Sequence, residues 1–306
     1  MKISICICTY NRANILKYCL RSLCDLSASA LRHEVEIVVV DNNSSDGTRD
    51  LVASFVSECP FELNYVFEGE QGIAAARNRA IAEAKGDYVA FLDDECTVGP
   101  DWLSIALADI DQYRPCVIGG PYMGAFLPGD RPGWFKIEYG NAYFLAREYE
   151  KGFQNDFRAS SGNMFVRRDV FDAVLFDLAY GMKGKKLALH EETELQERFL
   201  RDHPTEKIFY DPEMVVWHFI LPEKMRLVYH AKRTFVAALT GPGKVDHAGF
   251  LISLSKTFAH LTFAPISWAW RNRKVHPSWK NVAYERTIPR TGYHAGLVAK
   301  YIRAYF

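Results

Sequence analysis

Strand and helix patterns alternate through the first 120 residues of this 306-residue chain. The segment 34–42, EVEIVVVDN, is an almost continuous apolar run that ends in an acid, as buried parallel strands do. Further strand patterns cover 2–10, 63–69 and 87–95, and helix patterns cover 13–26, 44–56 and 72–84. This order predicts βαβ units, and therefore an α/β fold with a mainly parallel central sheet flanked by helices.

Polar residues follow each of the four predicted strands. Ligands of such sheets bind at the carboxyl ends of the strands, so we expect the four loops to converge on one site. The residues concerned are Thr9, Tyr10, Asn11 and Arg12 after the first strand, Asp41, Asn42 and Asn43 after the second, Glu68 and Gly69 after the third, and Asp93, Asp94 and Glu95 after the fourth.

The adjacent acids Asp93, Asp94 and Glu95 are either a solvated turn or a site for a cation. Mg²⁺ and Mn²⁺ prefer oxygen ligands and neutralise charge on a departing diphosphate. Tyr10 and Arg12 offer an aromatic face and a guanidinium, Asp41 can accept from a base-edge N–H, and Arg77 lies near a helix start that favours anions. Together these residue types indicate a nucleoside-diphosphate site. The sequence contains neither G-x-x-x-x-G-K-[ST] nor G-x-G-x-x-G, the common phosphate-binding loops.

The order and spacing of seven motifs resemble glycosyltransferase family 2, whose members have the GT-A fold. The resemblance covers about residues 3–220. It predicts a GT-A domain over 1–220, with a nucleotide-binding half at 1–120 and an acceptor and catalytic half at 121–220. It also implies a UDP- or GDP-linked sugar donor and inversion in a single displacement. The motifs are CTYNR, VVVDNNSSDGT, GIAAARNRAI, YVAFLDDE, SSGNMFVRR, HEETELQERF and VWH.

The resemblance also implies roles for individual residues. Glu192 would be the general base, with Glu191 as the alternative, although the family motif usually ends in Asp. Glu95 would ligate Mg²⁺ or Mn²⁺ together with Asp93 and His218, where the family usually has a third Asp in place of Glu95. The predicted nucleotide-binding residues are Thr9, Tyr10, Arg12, Asp41, Asn43, Arg77, Asp93 and Asp94. The residues predicted to line the donor-sugar and acceptor pocket are Ser161, Gly162 and Asn163.

The two parts of the chain differ in charge although the formal net charge is zero. Residues 221–306 hold seven Lys and seven Arg against three acids, about +11, which leaves about −11 on residues 1–220. We predict that 221–306 form a basic, aromatic extension that is helical and then loop-like. Contact with anionic lipid is one interpretation of this charge and a solubilising basic face is the other. The segment 248–270 is interrupted by Lys256, His260 and Pro265, so it is typical of an interfacial or a core segment and not of a membrane span.

The chain has seven cysteines without a C-x-x-C pair, and its first residues do not resemble a signal peptide. These features predict a reduced, cytoplasmic protein. Peripheral contact with the cytoplasmic face of the inner membrane is the further option. The expected acceptor is a hydroxyl of a glycan or of a lipid-linked precursor for the cell envelope, and no nucleic-acid partner is expected. Two alternatives stay open. One is a sugar nucleotidyltransferase, although CTYNRANI lacks the glycines and lysine of its early loop. The other is a carbohydrate-binding module that has lost catalysis, which the two Asp-to-Glu departures would favour.

Overall fold

The structure, a computed structural model, describes residues 1–27, 34–127, 129, 131–136, 139, 149–182, 190–240, 245–246, 248–257, 260 and 288–305. The chain divides into two units. The first comprises Met1–Ala125, Asn141–Lys185 and Glu191–Phe219, and the second comprises Phe126–Gly140, Lys186–His190 and Ile220–Phe306.

In the first unit, strands and helices alternate from residue 2 to residue 91, as the sequence predicts for this part of the chain. The strands are β1 (Lys2–Thr9), β2 (Glu34–Asp41), β3 (Glu62–Phe67), β4 (Tyr88–Phe91), β5 (Cys96–Val98), β6 (Val117–Gly119), β7 (Tyr122–Ala125), β8 (Gly152–Gln154), β9 (Met164–Arg167), β10 (Ile208–Tyr210) and β11 (Val216–Phe219). The helices are α1 (Ala13–Cys24), α2 (Thr48–Phe55), α3 (Ile73–Glu83), α4 (Trp102–Tyr113), α5 (Val170–Ala173) and α6 (Glu191–Asp202).

Eight of the strands form one sheet in the order β3-β2-β1-β4-β9-β6-β10-β8. The first four strands of that order are mutually parallel, and β10 is parallel to β6. Strand β9 runs antiparallel to both neighbours, and β8 runs antiparallel to β10. The predicted α/β fold with a mainly parallel sheet is therefore confirmed, and the polar loops after β1, β2, β3 and β4 share one edge.

Two apolar cores cover the two faces of this sheet. One core joins alternate strand residues such as Ile5 and Val39 to apolar residues of α1, α2 and α4. The other joins the intervening residues, such as Val38 and Phe91, to α3, α5 and α6. Because both faces are covered, the central strands are apolar along most of their length, which is the pattern seen at 34–42.

The segment 207–220 supplies strands to two different sheets. Strand β10 belongs to the large sheet, whereas β11 lies between β5 and β7 in a three-stranded sheet. The sequence predicts a strand with a turn at Asp211-Pro212, and the structure confirms the turn. The change of sheet brings His218 on β11 opposite Cys96 on β5, directly after the acid cluster.

The second unit contains α7 (Leu227–Thr240) and a last helix, Ile288–Tyr305. Residues 248–257 are also helical. A Cβ on Gly296 would lie 2.2 Å from the carbonyl oxygen of Phe235, and one on Gly292 would lie 2.5 Å from that of Ala231. The two glycines thus let the last helix approach the α7 backbone closely.

The predicted helical C-terminal extension is confirmed, whereas its expected loop-like end is wrong for the described residues, because 288–305 are helical. Pro289 and the two glycines resemble helix breakers in the sequence. A proline is compatible with the first turn of a helix, however, and the glycines contact α7 instead of ending the helix. Of the predicted interfacial segment 248–270, residues 258–259 and 261–270 lie outside the described residues. Among the helices that the structure describes, none combines the length and the apolar character that crossing a membrane requires.

Candidate active site

Contacts between the loops after β1, β2 and β3 confirm that they converge. The Asn42 backbone N–H donates to the Thr9 carbonyl at 2.9 Å, and the Glu68 N–H donates to the Asp41 carbonyl at 2.9 Å. The Asn11 side chain accepts from the Ser45 N–H at 2.8 Å. Backbone bonds therefore tie each loop to its neighbour at the carboxyl edge of the sheet.

The central acid of the cluster, Asp94, is held by the loop after β1. Its carboxylate accepts from Thr9 Oγ1 at 2.8 Å and from Arg12 Nη1 at 3.0 Å. Burial raises the pKa of Asp94, and the Arg12 charge opposes that rise. The sequence placed Thr9 and Arg12 at a nucleotide, and the structure has both of them fixing Asp94.

Arg77 on α3 connects three predicted parts of the site. Its Nη1 donates to Glu191 Oε1 at 2.7 Å, its Nη2 donates to Ser161 Oγ at 2.6 Å, and Nη2 lies 3.6 Å from Asp93 Oδ1. The residue is only 4% exposed. Its guanidinium therefore holds the start of α6, the 160–163 turn and the acid cluster together, and it also lies over the Phe176 ring.

Glu191 and Glu192 open helix α6, where the helix dipole favours negative charge. Glu191 is buried and paired with Arg77, whereas Glu192 keeps partial exposure. Burial, and then the adjacent Glu191 charge, raise the pKa of Glu192 to about 8. A carboxyl group with such a pKa is suited to take up a proton near neutral pH.

The predicted metal ligands lie in two groups. Glu95 Oε1 is 3.0 Å from His218 Nε2 and 3.5 Å from Arg12 Nη1, and the Phe219 N–H donates to the Glu95 carbonyl. Asp93 Oδ2 instead accepts from Tyr122 Oη at 2.7 Å. Across the described part of the chain, no three His, Cys, Asp or Glu side chains converge as a metal site. A carboxylate beside an imidazole is nevertheless a suitable donor set for Mn²⁺ or Mg²⁺, because substrate phosphates and water usually supply the other ligands.

The predicted base-binding residues lie at the loops after β1 and β2. Asp41 is buried and accepts from the Ser44 N–H at 2.9 Å and from Tyr65 Oη at 2.8 Å. Each carboxylate oxygen has a second lone pair, so Asp41 can still accept an N–H from a base. Tyr10 is 37% exposed and can stack, and Asn43 is exposed with a positive φ of 66°.

The predicted sugar-pocket residues are all buried and differ in the partners they contact. Ser161 bonds Arg77, but Asn163 is fully buried, where it accepts from Trp102 Nε1 at 2.9 Å and donates to the Pro121 and Met214 carbonyls. A Cβ on Gly162 would lie 2.2 Å from Tyr122 Oη. Asn163 and Gly162 therefore shape the turn that presents Ser161.

Three side chains outside the predicted site residues organise this edge: Asn42, which the sequence placed in the loop after the second strand, and Gln196 and Tyr122, which no sequence pattern identified. Asn42 donates to the Glu70 carbonyl at 2.6 Å and accepts from the Gly72 N–H at 2.8 Å, which fixes the approach to α3. Gln196 bonds both the N–H and the carbonyl of Ala159. It is a polar residue on the apolar stripe of α6, and that departure from the periodicity could have identified it. Tyr122 lies in a segment rich in Pro, Gly and aromatic residues, where no periodicity marks it.

Comparison with known proteins agrees with this geometry. A model of the family described as Glycosyl transferase family 2 matches residues 4–175, more than half of the chain. The chain belongs to glycosyltransferase family 2. The match covers strands β1 to β9 and, with them, the acid cluster, Arg77 and the 160–163 turn.

One protein of similar sequence and two solved structures of similar fold match most of this chain. The succinoglycan biosynthesis protein ExoM of Rhizobium meliloti is 29% identical over 244 residues, which are 78% of this chain and 74% of that protein. The mannosyltransferase PcManGT of Pyrobaculum calidifontis, solved with GDP-Man and Mn²⁺, has a TM-score of 0.63 at 17% identity. This match covers 99% of this chain and 88% of the PcManGT chain. TarS 1-349 of S. aureus, solved with UDP, has a TM-score of 0.53 at 17% identity, and the match covers 100% of this chain and 93% of the TarS chain. These structures show that this glycosyltransferase has the GT-A type of fold.

Proposed function

We propose that this glycosyltransferase is an inverting, metal-dependent enzyme that moves a sugar from a UDP- or GDP-linked donor to a hydroxyl of a glycan or lipid-linked acceptor. The observation that carries the proposal is the Arg77 network, because one buried cation joins the start of α6, the 160–163 turn and the acid cluster. Neighbours in the GT-A fold that were solved with UDP, or with GDP-Man and Mn²⁺, support both a nucleotide-sugar donor and a divalent ion.

Glu192 acts as the general base in this proposal, with Glu191 as the alternative. The Glu192 carboxylate accepts the proton of the acceptor hydroxyl while the sugar transfers, and its raised pKa keeps that proton on the enzyme. Glu191 is less suited to this role, because it is buried and already bonded to Arg77. A single displacement needs no enzyme nucleophile, so the oxygen of the acceptor attacks the sugar directly.

The nucleotide would lie across the loops at the carboxyl edge of the sheet. Tyr10 would stack on the base, Asp41 would accept from its edge, and Asp93 would approach the ribose, with Asn43 beside them. Glu95, His218 and Asp93 would hold the divalent ion. The ion would supply positive charge for the departing diphosphate.

Glu192→Gln tests the catalytic assignment. The amide cannot accept the proton, so we expect transfer to fall by at least about a hundredfold while the affinity for the nucleotide sugar stays within about twofold. Glu197→Gln removes the same charge from an exposed position of α6 and should leave transfer unchanged. Release of UDP or GDP from a panel of donors, with and without Mn²⁺, measures both variants. Absence of turnover with every donor would favour the carbohydrate-binding module.

The basic extension supports a second element of the proposal, a peripheral contact with anionic lipid at the cytoplasmic face of the membrane. Leu251, Ile252 and Leu254 of the helical segment 248–257 are 51%, 52% and 47% exposed, and exposed Lys256 follows them. Exposed apolar residues beside cationic ones are typical of helices that bind the surface of a bilayer. This location would suit a lipid-linked acceptor.

Sedimentation with vesicles tests the lipid contact. We expect the chain to pellet with phosphatidylglycerol vesicles and to remain in solution with phosphatidylcholine vesicles. Replacing Leu251 and Ile252 by Ser should weaken the binding several-fold, because it removes two exposed apolar side chains. The matched control replaces Val56 and Leu175, which are equally exposed in the first unit. Equal retention of the two double variants would contradict the assignment.

A further inference from the structure

Tyr122 contacts the first acid of the cluster and the histidine beside the last acid, although no sequence motif marks it. Its hydroxyl donates to Asp93 Oδ2 at 2.7 Å. Its ring lies 5.0 Å from the His218 ring at an interplanar angle of 35°, and His218 Nε2 lies 3.0 Å from Glu95 Oε1. The first and the last acid of the cluster are thus connected through one aromatic side chain.

The position of Tyr122 is fixed from several directions. The residue begins β7 and pairs with Val216 on β11, two residues before His218. Its hydroxyl accepts from Cys96 Sγ at 3.2 Å, and the residue is 9% exposed. Gly162 also lies against the ring, since a Cβ there would collide with Oη, Cε2 and Cζ of Tyr122. A side chain confined in this way can hold its partners in one orientation.

Asp93 is the partner that most needs such support. Its side chain is 31% exposed, so solvent alone would leave the carboxylate free to rotate. Tyr122 Oη donates a hydrogen bond to Asp93 Oδ2, while Arg77 Nη2 lies 3.6 Å from Asp93 Oδ1. The two contacts define the plane of the carboxylate, and hydrogen bonds to a charged acceptor are stronger than neutral ones.

We propose that Tyr122 is a positioning residue, which orients Asp93 for the nucleotide through its hydroxyl and supports His218 beside Glu95 through its ring. The inference rests on the proposed function, because it assigns Asp93 to the nucleotide. Tyr122 does not touch the reacting atoms in this assignment. Its hydroxyl acts on nucleotide binding only through Asp93, and that dependence can be measured by a change that removes the hydroxyl and keeps the ring.

A double-mutant cycle with Tyr122→Phe and Asp93→Asn tests the hydroxyl. The ligand is UDP or GDP at saturating Mn²⁺, measured by calorimetry, because a nucleotide without a sugar reports on Asp93 and not on the sugar pocket. We expect Tyr122→Phe to raise the Kd about tenfold, the effect of losing one hydrogen bond to a charged group. In the Asp93→Asn background the same change should alter the Kd by less than about twofold, since the two residues act in series.

Tyr88→Phe is the matched control. Its hydroxyl is also buried and donates at 2.7 Å, but to the Pro115 carbonyl, so its loss should leave the Kd within about twofold. Gly162→Ala is a second variant, which displaces the Tyr122 hydroxyl without removing it, and it should raise the Kd as Tyr122→Phe does. Melting temperatures show that each variant is folded.

Two results would overturn the inference. One is an unchanged Kd in Tyr122→Phe, and the other is an equal increase in both backgrounds, which marks a general structural effect. A wild-type chain that binds neither UDP nor GDP would refute the proposed function itself and the inference with it. Binding by the wild type with no coupling between Tyr122 and Asp93 would refute the inference alone.

Discussion

The pH dependence of transfer follows from the environment of Glu192, and Glu191→Gln should shift it. With a pKa of about 8 in the free enzyme, Glu192 is ionised in only about a tenth of the molecules at pH 7 and about a hundredth at pH 6. A general base works only when ionised. We therefore expect kcat/KM of the wild type to rise about tenfold per pH unit below pH 7 and to level off above pH 8.

Glu191→Gln removes the neighbouring charge that helps to raise this pKa. It also leaves the Arg77 charge less compensated, and that charge lowers the pKa of Glu192. Both effects move the midpoint of the profile to lower pH. The quantity to compare is kcat/KM at pH 7 divided by the plateau value of the same protein. This ratio should be at least about threefold higher in Glu191→Gln than in the wild type. The increase has a ceiling of about tenfold, which is reached when all of Glu192 is ionised.

The assay is the release of nucleotide at limiting donor, from pH 6 to pH 9, with Glu197→Gln as the control for loss of one charge from α6. A flat wild-type profile, or a midpoint that stays in place in Glu191→Gln, would refute the reasoning on Glu192. Complete loss of transfer in Glu191→Gln at every pH would instead identify Glu191 as the base.

Two further predictions concern stability. Lys151 neutralises two buried carboxylates, so Lys151→Met should lower the free energy of unfolding by about 2 kcal/mol at pH 7, measured in urea. Burial raises the pKa of one of these carboxylates, Asp109, to about 6. The loss of unfolding free energy should therefore be smaller at pH 5, where Asp109 is protonated. An equal loss at pH 5 and pH 7 would contradict this explanation. Gly296→Ala places a methyl group against the Phe235 carbonyl and should cost about 2 kcal/mol, whereas Gly133→Ala, with open space around it, should be neutral.

The sequence alone determined the sheet and the edge at which the site lies. The apolar runs at β1, β2 and β4 are nearly continuous because helices cover both faces of the sheet, and this pattern is local enough to be visible in the sequence. The polar residues after each strand share an edge as a consequence of parallel order. Asp41, Asp94 and Arg12 were therefore placed near one another without knowledge of any contact.

Tertiary structure decided which partner each of these residues contacts. Arg77 was assigned to the nucleotide pocket from its position near a helix start, yet its bonds reach Glu191 and Ser161, which are 114 and 84 residues away. Hydrogen bonds over such separations leave no periodic trace in a sequence. The same reason explains why Tyr122 was missed, since its importance depends on β7 meeting β11 beside the acid cluster.

The last helix is a second case in which tertiary packing, and not the local sequence, decides the structure. The sequence predicts a loop-like end to the chain, and Gly292 and Gly296 do weaken a helix in isolation. In the structure these positions face the backbone of α7, where any Cβ would collide, and packing stabilises the helix. Local patterns determined where strands and charges lie, whereas close packing between distant segments decided the orientation of each side chain.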